Sequence, residues 1–126
     1  MDGGRAEKWR DLGRARILLS RTATEMTIAD LERKAKTVRR REGPRRAALV
    51  YQRICDACPE SASHRALLGA ALLASGRTEE AADSLRTAVW LRMREGRAAK
   101  AASVARLLLR IADGDPTAER AIARAA

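Results

Sequence analysis

A 34-residue spacing relates small and apolar residues through the middle of the chain. Ala47 is matched by Ala81, and Ala35 is matched by Gly69. The other matched pairs are Ile28 with Ala62, Val38 with Leu72, Ala48 with Ala82, Tyr51 with Leu85 and Ile54 with Ala88. A period of this length is typical of stacked helix–turn–helix units, which form curved surfaces that hold another protein more often than they form active sites.

The composition favours helix along the whole chain. The 126 residues fit one domain, and Ala, Leu, Arg and Glu dominate it, whereas phenylalanine is absent. These residues have high helix propensity, and runs of β-branched residues are missing. The sequence therefore predicts an all-α fold. Its abundant alanine allows close helix packing and leaves little bulk for a deep catalytic core.

Capping residues, glycines and prolines predict about seven helices. The predicted N-caps are Thr27, either Ser61 or Ser63, Thr78 and Asp115, because their side chains can accept hydrogen bonds from free backbone N–H groups. The helices are expected at residues 5–20, at 28–41, from Pro44 to about Cys58, from about 62 to Gly76, from Thr78 to before Gly96, at about 97–112, and from Thr117 to Ala126.

The chain is strongly basic, with a formal net charge of +10 and an isoelectric point near 11.1. Arginine far outnumbers lysine, and the abundance of Arg and Ala together suggests a GC-rich bacterial genome. The charge indicates an acidic protein, a nucleic acid or an anionic membrane surface as a partner, or simply solvated helix faces coated with arginine.

The N-terminal stretch gives an expectation about location. Met1 is followed by polar and charged residues and not by the apolar segment of a signal peptide. No apolar run approaches the roughly 20 residues of a membrane-spanning helix. We therefore expect a cytoplasmic protein in which Cys55 and Cys58 are reduced.

The repeated residues resemble those of tetratricopeptide repeat proteins. In residues 28–61 the matching residues are Leu31, Ala35, Val38, Ala47, Tyr51 and Pro59, and in residues 62–95 they are Leu68, Gly69, Leu72, Gly76, Ala81, Leu85 and Ala88. The resemblance implies a right-handed superhelix of antiparallel helix pairs. It also implies that Ala and Gly lie where the two helices of a pair approach most closely.

The resemblance weakens beyond the second unit. Met93 stands where the family pattern has proline, and Gly96 follows Gly76 after 20 residues instead of 34. We therefore divide the single domain into an N-terminal helix at 5–22, repeat units at 28–61 and 62–95, and an irregular third unit at 96–126.

The resemblance also implies a binding surface, because first-helix residues line the concave groove in this family. Here those residues are Glu32, Lys36, Arg39 and Arg40 in the first unit, and Ala66, Ala70 and Leu73 in the second. The arginine cluster around the Gly43-Pro44 turn adds Arg41, Arg45 and Arg46. A surface with a basic half and an apolar half suits an acidic or amphipathic protein segment, expected to be helical.

Trp90 has two interpretations. Large aromatic side chains dominate core burial, which favours a core residue packed between repeats. If Trp90 instead lies off the packed stripe of its helix, it is an exposed anchor for a partner, since tryptophan is enriched at interface hot spots.

Catalytic and metal chemistry are not expected. Cys55 and Cys58 form a Cys-x-x-Cys pair, but His64 is the only histidine and two further zinc ligands are missing. We therefore interpret both cysteines as small core hydrophobes. The sequence contains no glycine-rich phosphate loop, no supported Ser/His/Asp set and no metal-binding carboxylate cluster, so it predicts a non-enzyme with no cofactor and no metal.

Three functions stay open on the sequence alone. The first is an adaptor or scaffold that binds a protein segment through the basic and apolar groove. The second is a nucleic-acid or polyanion binder that uses the arginine surface, although aromatic residues that would stack on bases are missing near the arginine cluster. The third is a self-assembling module whose apolar C-terminal helices contact another copy.

Overall fold

The computed structural model describes residues 26–126, and this part of the chain is helical throughout, without strands. The all-α prediction is confirmed for these residues, whereas the predicted N-terminal helix at 5–22 lies outside them. The helices are α1 (Ile28–Glu42), α2 (Pro44–Ala57), α3 (Ala62–Ala74), α4 (Thr78–Arg94), α5 (Ala98–Ile111) and α6 (Pro116–Ala125).

Each helix packs against the next one along the chain, and α4 also contacts α6. The turns between them are short, so successive helices form hairpins. The first helices of the three pairs begin at residues 28, 62 and 98, a spacing of 34 and then 36 residues. Gly76 and Gly96 lie in the turns on either side of α4, with φ of 83° and 76°, which explains their 20-residue spacing.

The helix starts follow most of the predicted caps. Thr27 and Asp30 form a capping box in which each side chain accepts a hydrogen bond from the other residue's backbone N–H, both at 3.1 Å. Ser61 caps α3 as predicted. The prediction for Thr78 is wrong, because Thr78 is the first helical residue of α4. The capping position belongs to Arg77, whose side chain makes no cap hydrogen bond.

The core consists mainly of alanine and leucine at the helix crossings. One cluster joins α1, α2, α3 and the start of α4, and a second joins α4, α5 and α6. The largest fully buried side chains are Leu31, Ile54, Leu85, Leu108, Val89 and Cys55. Because alanine is short, it lets neighbouring helices pack closely, and Tyr51 is the one aromatic residue buried within residues 26–126. Within residues 26–126, no helix is long and apolar enough to span a membrane.

Gly69 lies at a close approach of α3 to α4. A Cβ atom placed on Gly69 would lie 2.6 Å from Leu85 Cδ2 and 3.4 Å from the carbonyl oxygen of Ala81. Leu85 is fully buried, so its side chain has little room to move away. The expectation that a small residue marks a close helix approach at this position is confirmed.

Gly69→Ala should destabilise the protein, although alanine is the better helix former by about 1 kcal/mol. Overpacking of a well-packed core costs about 1–3 kcal/mol, so we expect a net loss of about 1 kcal/mol in the free energy of unfolding, measured by urea denaturation with circular dichroism. In a Leu85→Ala background the same substitution should cost nothing. A Gly69→Ala protein more stable than the wild type would show that this approach is not tight.

Candidate interaction surfaces

The residues predicted to bind a partner are distributed over four helices. The cationic members of the set, Lys36, Arg39, Arg40, Arg41, Arg45 and Arg46, are all exposed on α1 and α2. Ala66, Ala70 and Leu73 lie half-buried on α3, and Trp90 lies on α4. The structure therefore keeps the arginine cluster on one hairpin and places Trp90 on a different part of the molecule.

Glu32, the acidic member of the predicted set, is held by α3. Its Oε2 atom lies 2.5 Å from His64 Nε2, and His64 Nδ1 lies 2.7 Å from Ser61 Oγ. Ser61 Oγ also accepts the backbone N–H of His64 as the N-cap of α3, at 3.3 Å. These contacts fit a histidine tautomer in which the Ser61 hydroxyl donates to Nδ1 and Nε2–H donates to Glu32.

The order of these three side chains is that of a Ser–His–acid triad, and sequence reasoning missed it. The serine to histidine spacing of three residues at a helix start is the one local signal for it. Because Ser61 caps α3 and the His64 side chain is only 14% exposed, we interpret the three side chains as a structural hydrogen-bond network that joins α1 to α3.

The arginine-rich hairpin carries a groove of about 320 Å³ between α1 and α2, called here the α1–α2 groove. Leu49, on its surface, is 55% exposed. Arg46 Nε lies 3.3 Å from Glu42 Oε1, so one carboxylate in the groove is neutralised. The groove combines apolar side chains with an excess of positive charge. Its lining residues are Lys34, Val38, Glu42, Arg46, Leu49, Val50 and Arg53.

Helical periodicity brings these residues together. Lys34, Val38 and Glu42 are four residues apart and lie on one face of α1. Arg46 and Arg53, seven residues apart, share a face of α2, and the single-residue turn between the helices makes the two faces neighbours. Of the seven lining residues, only Arg46 was in the predicted set. Leu49 could have been found, because it is a leucine that does not fall among the residues of its helix matched by the 34-residue spacing, Ala47, Ala48, Tyr51 and Ile54.

The interpretation of Trp90 as a core residue between repeats is wrong, since the side chain is 52% exposed. Helix α4 buries Leu85 and Val89 instead, and position 90 falls outside that stripe. The Arg94 guanidinium carbon lies 4.8 Å from the centroid of the Trp90 ring, a cation–π contact. Trp90 borders an open groove of about 410 Å³, called here the tryptophan groove, lined by Asp83, Arg86, Thr87, Trp90 and Thr117.

An ion pair fixes α4 to the start of α6 beside this groove. Arg86 Nε donates to Asp115 Oδ1 at 2.8 Å, and Arg86 Nη1 donates to Asp83 Oδ1 at 2.9 Å. Asp115 is 7% exposed, and its Oδ2 accepts the backbone N–H of Ala118 at 3.1 Å as the N-cap of α6. Burial disfavours the charged carboxylate, but the bonds from Ala118 and Arg86 outweigh it and hold the pKa of Asp115 below its ordinary value.

Asp115→Asn should destabilise the protein at neutral pH by about 1 kcal/mol, because asparagine still caps a helix but loses the ion pair with the partly exposed Arg86. The lowered pKa means that the charged form of Asp115 stabilises the fold above the ordinary carboxyl pKa of about 3.9. This stabilisation is lost as the pH falls through the lower folded-state value.

Urea denaturation at pH values from neutral into the acid range should therefore show that the difference in the free energy of unfolding between wild type and Asp115→Asn becomes smaller as the pH falls. Asp113→Asn, an exposed aspartate in the same turn, is the matched control and should change stability little at any pH. Equal stability of wild type and Asp115→Asn at neutral pH would contradict a stabilising ion pair.

The second cavity beside α4 adjoins the tryptophan groove and shares Asp83 and Thr87 with it. It has a volume of about 260 Å³ and is called here the α3–α4 pocket. Arg65 lines it, and the Nε atom of this residue is buried and has no hydrogen-bond partner within residues 26–126. The residues of the pocket are Gln52, Arg65, Leu68, Leu72, Glu80, Asp83, Ser84 and Thr87.

The two cysteines have different environments. Cys55 is fully buried in the core, and burial raises the pKa of its thiol to about 11. This confirms the interpretation of Cys55 as a core hydrophobe, and it makes the reactive thiolate scarce at neutral pH. Cys58 is only half-buried, at the end of α2. In the part of the chain that the structure describes, no three His, Cys, Asp or Glu residues are grouped to hold a metal ion.

Comparison with known proteins found no matching family model, no matching curated protein and no matching solved structure. The function of the chain is therefore inferred from its own surfaces. The surfaces that have a defined shape and charge are the α1–α2 groove and the two adjoining cavities along α4.

Proposed function

We propose that this chain is a non-enzymatic helical-repeat module of the tetratricopeptide type that binds a segment of another protein. Three features support the repeat assignment. The helix pairs begin 34 and 36 residues apart, successive helices pack as hairpins, and Gly69 allows the close approach of α3 to α4. Such modules present surfaces for a partner, and this chain carries exposed apolar side chains within charged grooves.

The partner segment that we propose is an acidic amphipathic helix seated in the α1–α2 groove. The observation that carries this proposal is the exposed side chain of Leu49 between the cationic residues Lys34, Arg46 and Arg53. A leucine on the partner can cover Leu49, and carboxylates on either side of it can pair with the cations. Helix-in-groove binding uses this combination of a central apolar contact and a charged rim.

The α1 residues predicted from the family resemblance lie on another face of this helix, since Lys36 is two residues from Lys34 and residues two apart do not share a face. Glu32 among them is occupied by His64, which leaves Lys36, Arg39 and Arg40 as the exposed charged positions on that face of α1. These cations extend the positive field around the α1–α2 groove and would speed the approach of an acidic partner. We favour the α1–α2 groove as the docking site because its apolar and cationic residues line one concave surface.

A polyanion such as a nucleic acid is the second candidate, because the net charge of +10 favours it. The exposed Leu49 side chain contributes nothing to phosphate binding, so the groove favours a protein partner. Self-assembly through the last helix is less favoured. The apolar face of α6 already packs on its own neighbours, with Ala118 and Ala121 buried and Ile122 against the same cluster.

The proposal is tested with a fluorescent designed peptide that forms an acidic amphipathic helix, with leucines at positions i, i+3, i+4 and i+7 and glutamates elsewhere. We expect Arg46→Glu/Arg53→Glu to weaken its binding about tenfold or more, because it reverses two charges on the rim. Leu49→Gln should weaken binding several-fold by removing the apolar contact. Fluorescence anisotropy titrations at physiological salt give the dissociation constants.

The matched control is Arg106→Glu/Arg110→Glu, which makes the same change of net charge at two exposed positions of α5. This control should bind the peptide within about twofold of the wild type at physiological salt, where distant surface charges are screened. Equal weakening by both double variants would contradict a specific groove. Tighter binding of a DNA duplex than of the peptide, insensitive to Leu49→Gln, would instead support the polyanion function.

A further inference from the structure

Two adjoining cavities lie along the exposed side of α4, and together they are called here the trough. The α3–α4 pocket and the tryptophan groove meet at Asp83 and Thr87, so together they extend from Glu80 to Trp90. Ten residues of helix span about 15 Å, at 1.5 Å per residue. An extended peptide advances about 3.3 Å per residue, so the trough is long enough for about four or five residues of a bound segment.

The carboxylates of this trough distinguish it from the basic α1–α2 groove. Asp83 lies where the two cavities meet, and its side chain is 78% exposed. The arginines nearby are already paired. Arg86 binds Asp83 and the buried Asp115, and Arg77 binds Glu80. Arg86 is shared between Asp83 and Asp115, so one guanidinium serves two carboxylates, and the exposed Asp83 carboxylate has room for a second cation.

Trp90 provides a second feature that attracts a cation. Its half-exposed ring lies on the same side of α4 as Asp83, two helical turns further on. A lysine or arginine side chain placed between them gains both an ion pair and a cation–π contact. Arg94 shows that the Trp90 ring already accepts a guanidinium group against it.

Arg65 lies at the other end of the trough. Its buried Nε lacks a hydrogen-bond partner within residues 26–126, and a buried donor without a partner is costly. Because this atom is buried, a bound segment does not reach it, and Arg65 contributes instead to the packing of α3 against α4. Ser84 already uses its hydroxyl to donate to the Arg65 carbonyl oxygen at 3.0 Å, which fixes the backbone of Arg65 against α4.

We propose that this trough binds an extended protein segment that presents a lysine or arginine to Asp83 and Trp90. The proposal rests on the residues along α4 and not on the acidic partner of the α1–α2 groove. Together, the two surfaces would let one small domain bridge an acidic segment and a basic segment.

The test uses immobilised, terminally blocked hexapeptides in which one central position is Lys, Arg, Leu or Glu and the other positions are varied. The fluorescently labelled full chain should be retained by the Lys and Arg peptides and not by the Leu and Glu peptides. The best lysine peptide is then titrated in solution by fluorescence anisotropy, beside its Lys→Glu counterpart.

Two substitutions probe the trough itself. Asp83→Asn should weaken binding of the lysine peptide about tenfold, and Trp90→Ala should weaken it several-fold, with little loss of fold because both side chains are exposed. Glu119→Gln, which removes an exposed carboxylate of α6, is the matched control and should leave binding unchanged. Circular dichroism of each variant confirms that the helices are intact.

Binding of the lysine and glutamate peptides with equal affinity, or an unchanged affinity in Asp83→Asn, would overturn the proposal. Self-association of the wild-type chain that Asp83→Asn abolishes, measured by sedimentation, would also overturn it, because the occupant would then be a second copy. Arg46→Glu/Arg53→Glu should leave lysine-peptide binding intact. If the acidic peptide does not bind but the lysine peptide does, the result therefore contradicts the proposal for the α1–α2 groove and not the proposal for this trough.

Discussion

The packing of α3 against α4 at Gly69 and Leu85 is the constraint on which the rest of the structure depends. Because a side chain at Gly69 would collide with Leu85, only a glycine lets the two helices come this close. Hydrogen bonds from Ser84 to the Arg65 carbonyl and from Arg92 to Ser63, nearer the start of α3, hold the same pair of helices together. With one side of α4 committed to these contacts, its other side is left for solvent or for a partner.

This division of α4 has a counterpart in the first hairpin. The buried alanines of α1 and α2 face the core, so the positively charged residues of both helices are confined to the outside. The single-residue turn at Gly43, with φ of 96°, brings the two outer faces side by side and forms the α1–α2 groove. A core of small residues thus determines two surfaces of different charge, one basic on the first hairpin and one with accessible carboxylates along α4.

The sequence predicted the local features well and the tertiary ones less well. Thr27 and Asp115 carry their capping function in their own side chains, so both caps could be identified without the structure. The side of α4 on which Trp90 lies could not be identified from the sequence. Helix α4 contacts α3, α5 and α6, and only that packing decides which of its residues are buried. The contact between Glu32 and His64 joins residues 32 positions apart, and no local sequence pattern indicates a contact between residues so far apart in the chain.

The central claim is that the basic charge of this chain acts through one defined groove and not as a diffuse coat. The most direct measurement is a nuclear magnetic resonance titration of the isotope-labelled full chain with the acidic amphipathic peptide. We predict that backbone amide shifts concentrate in α1 and α2, around Lys34, Leu49 and Arg53. Shifts spread evenly over the exposed arginines of α5 and α6 as well would contradict the claim.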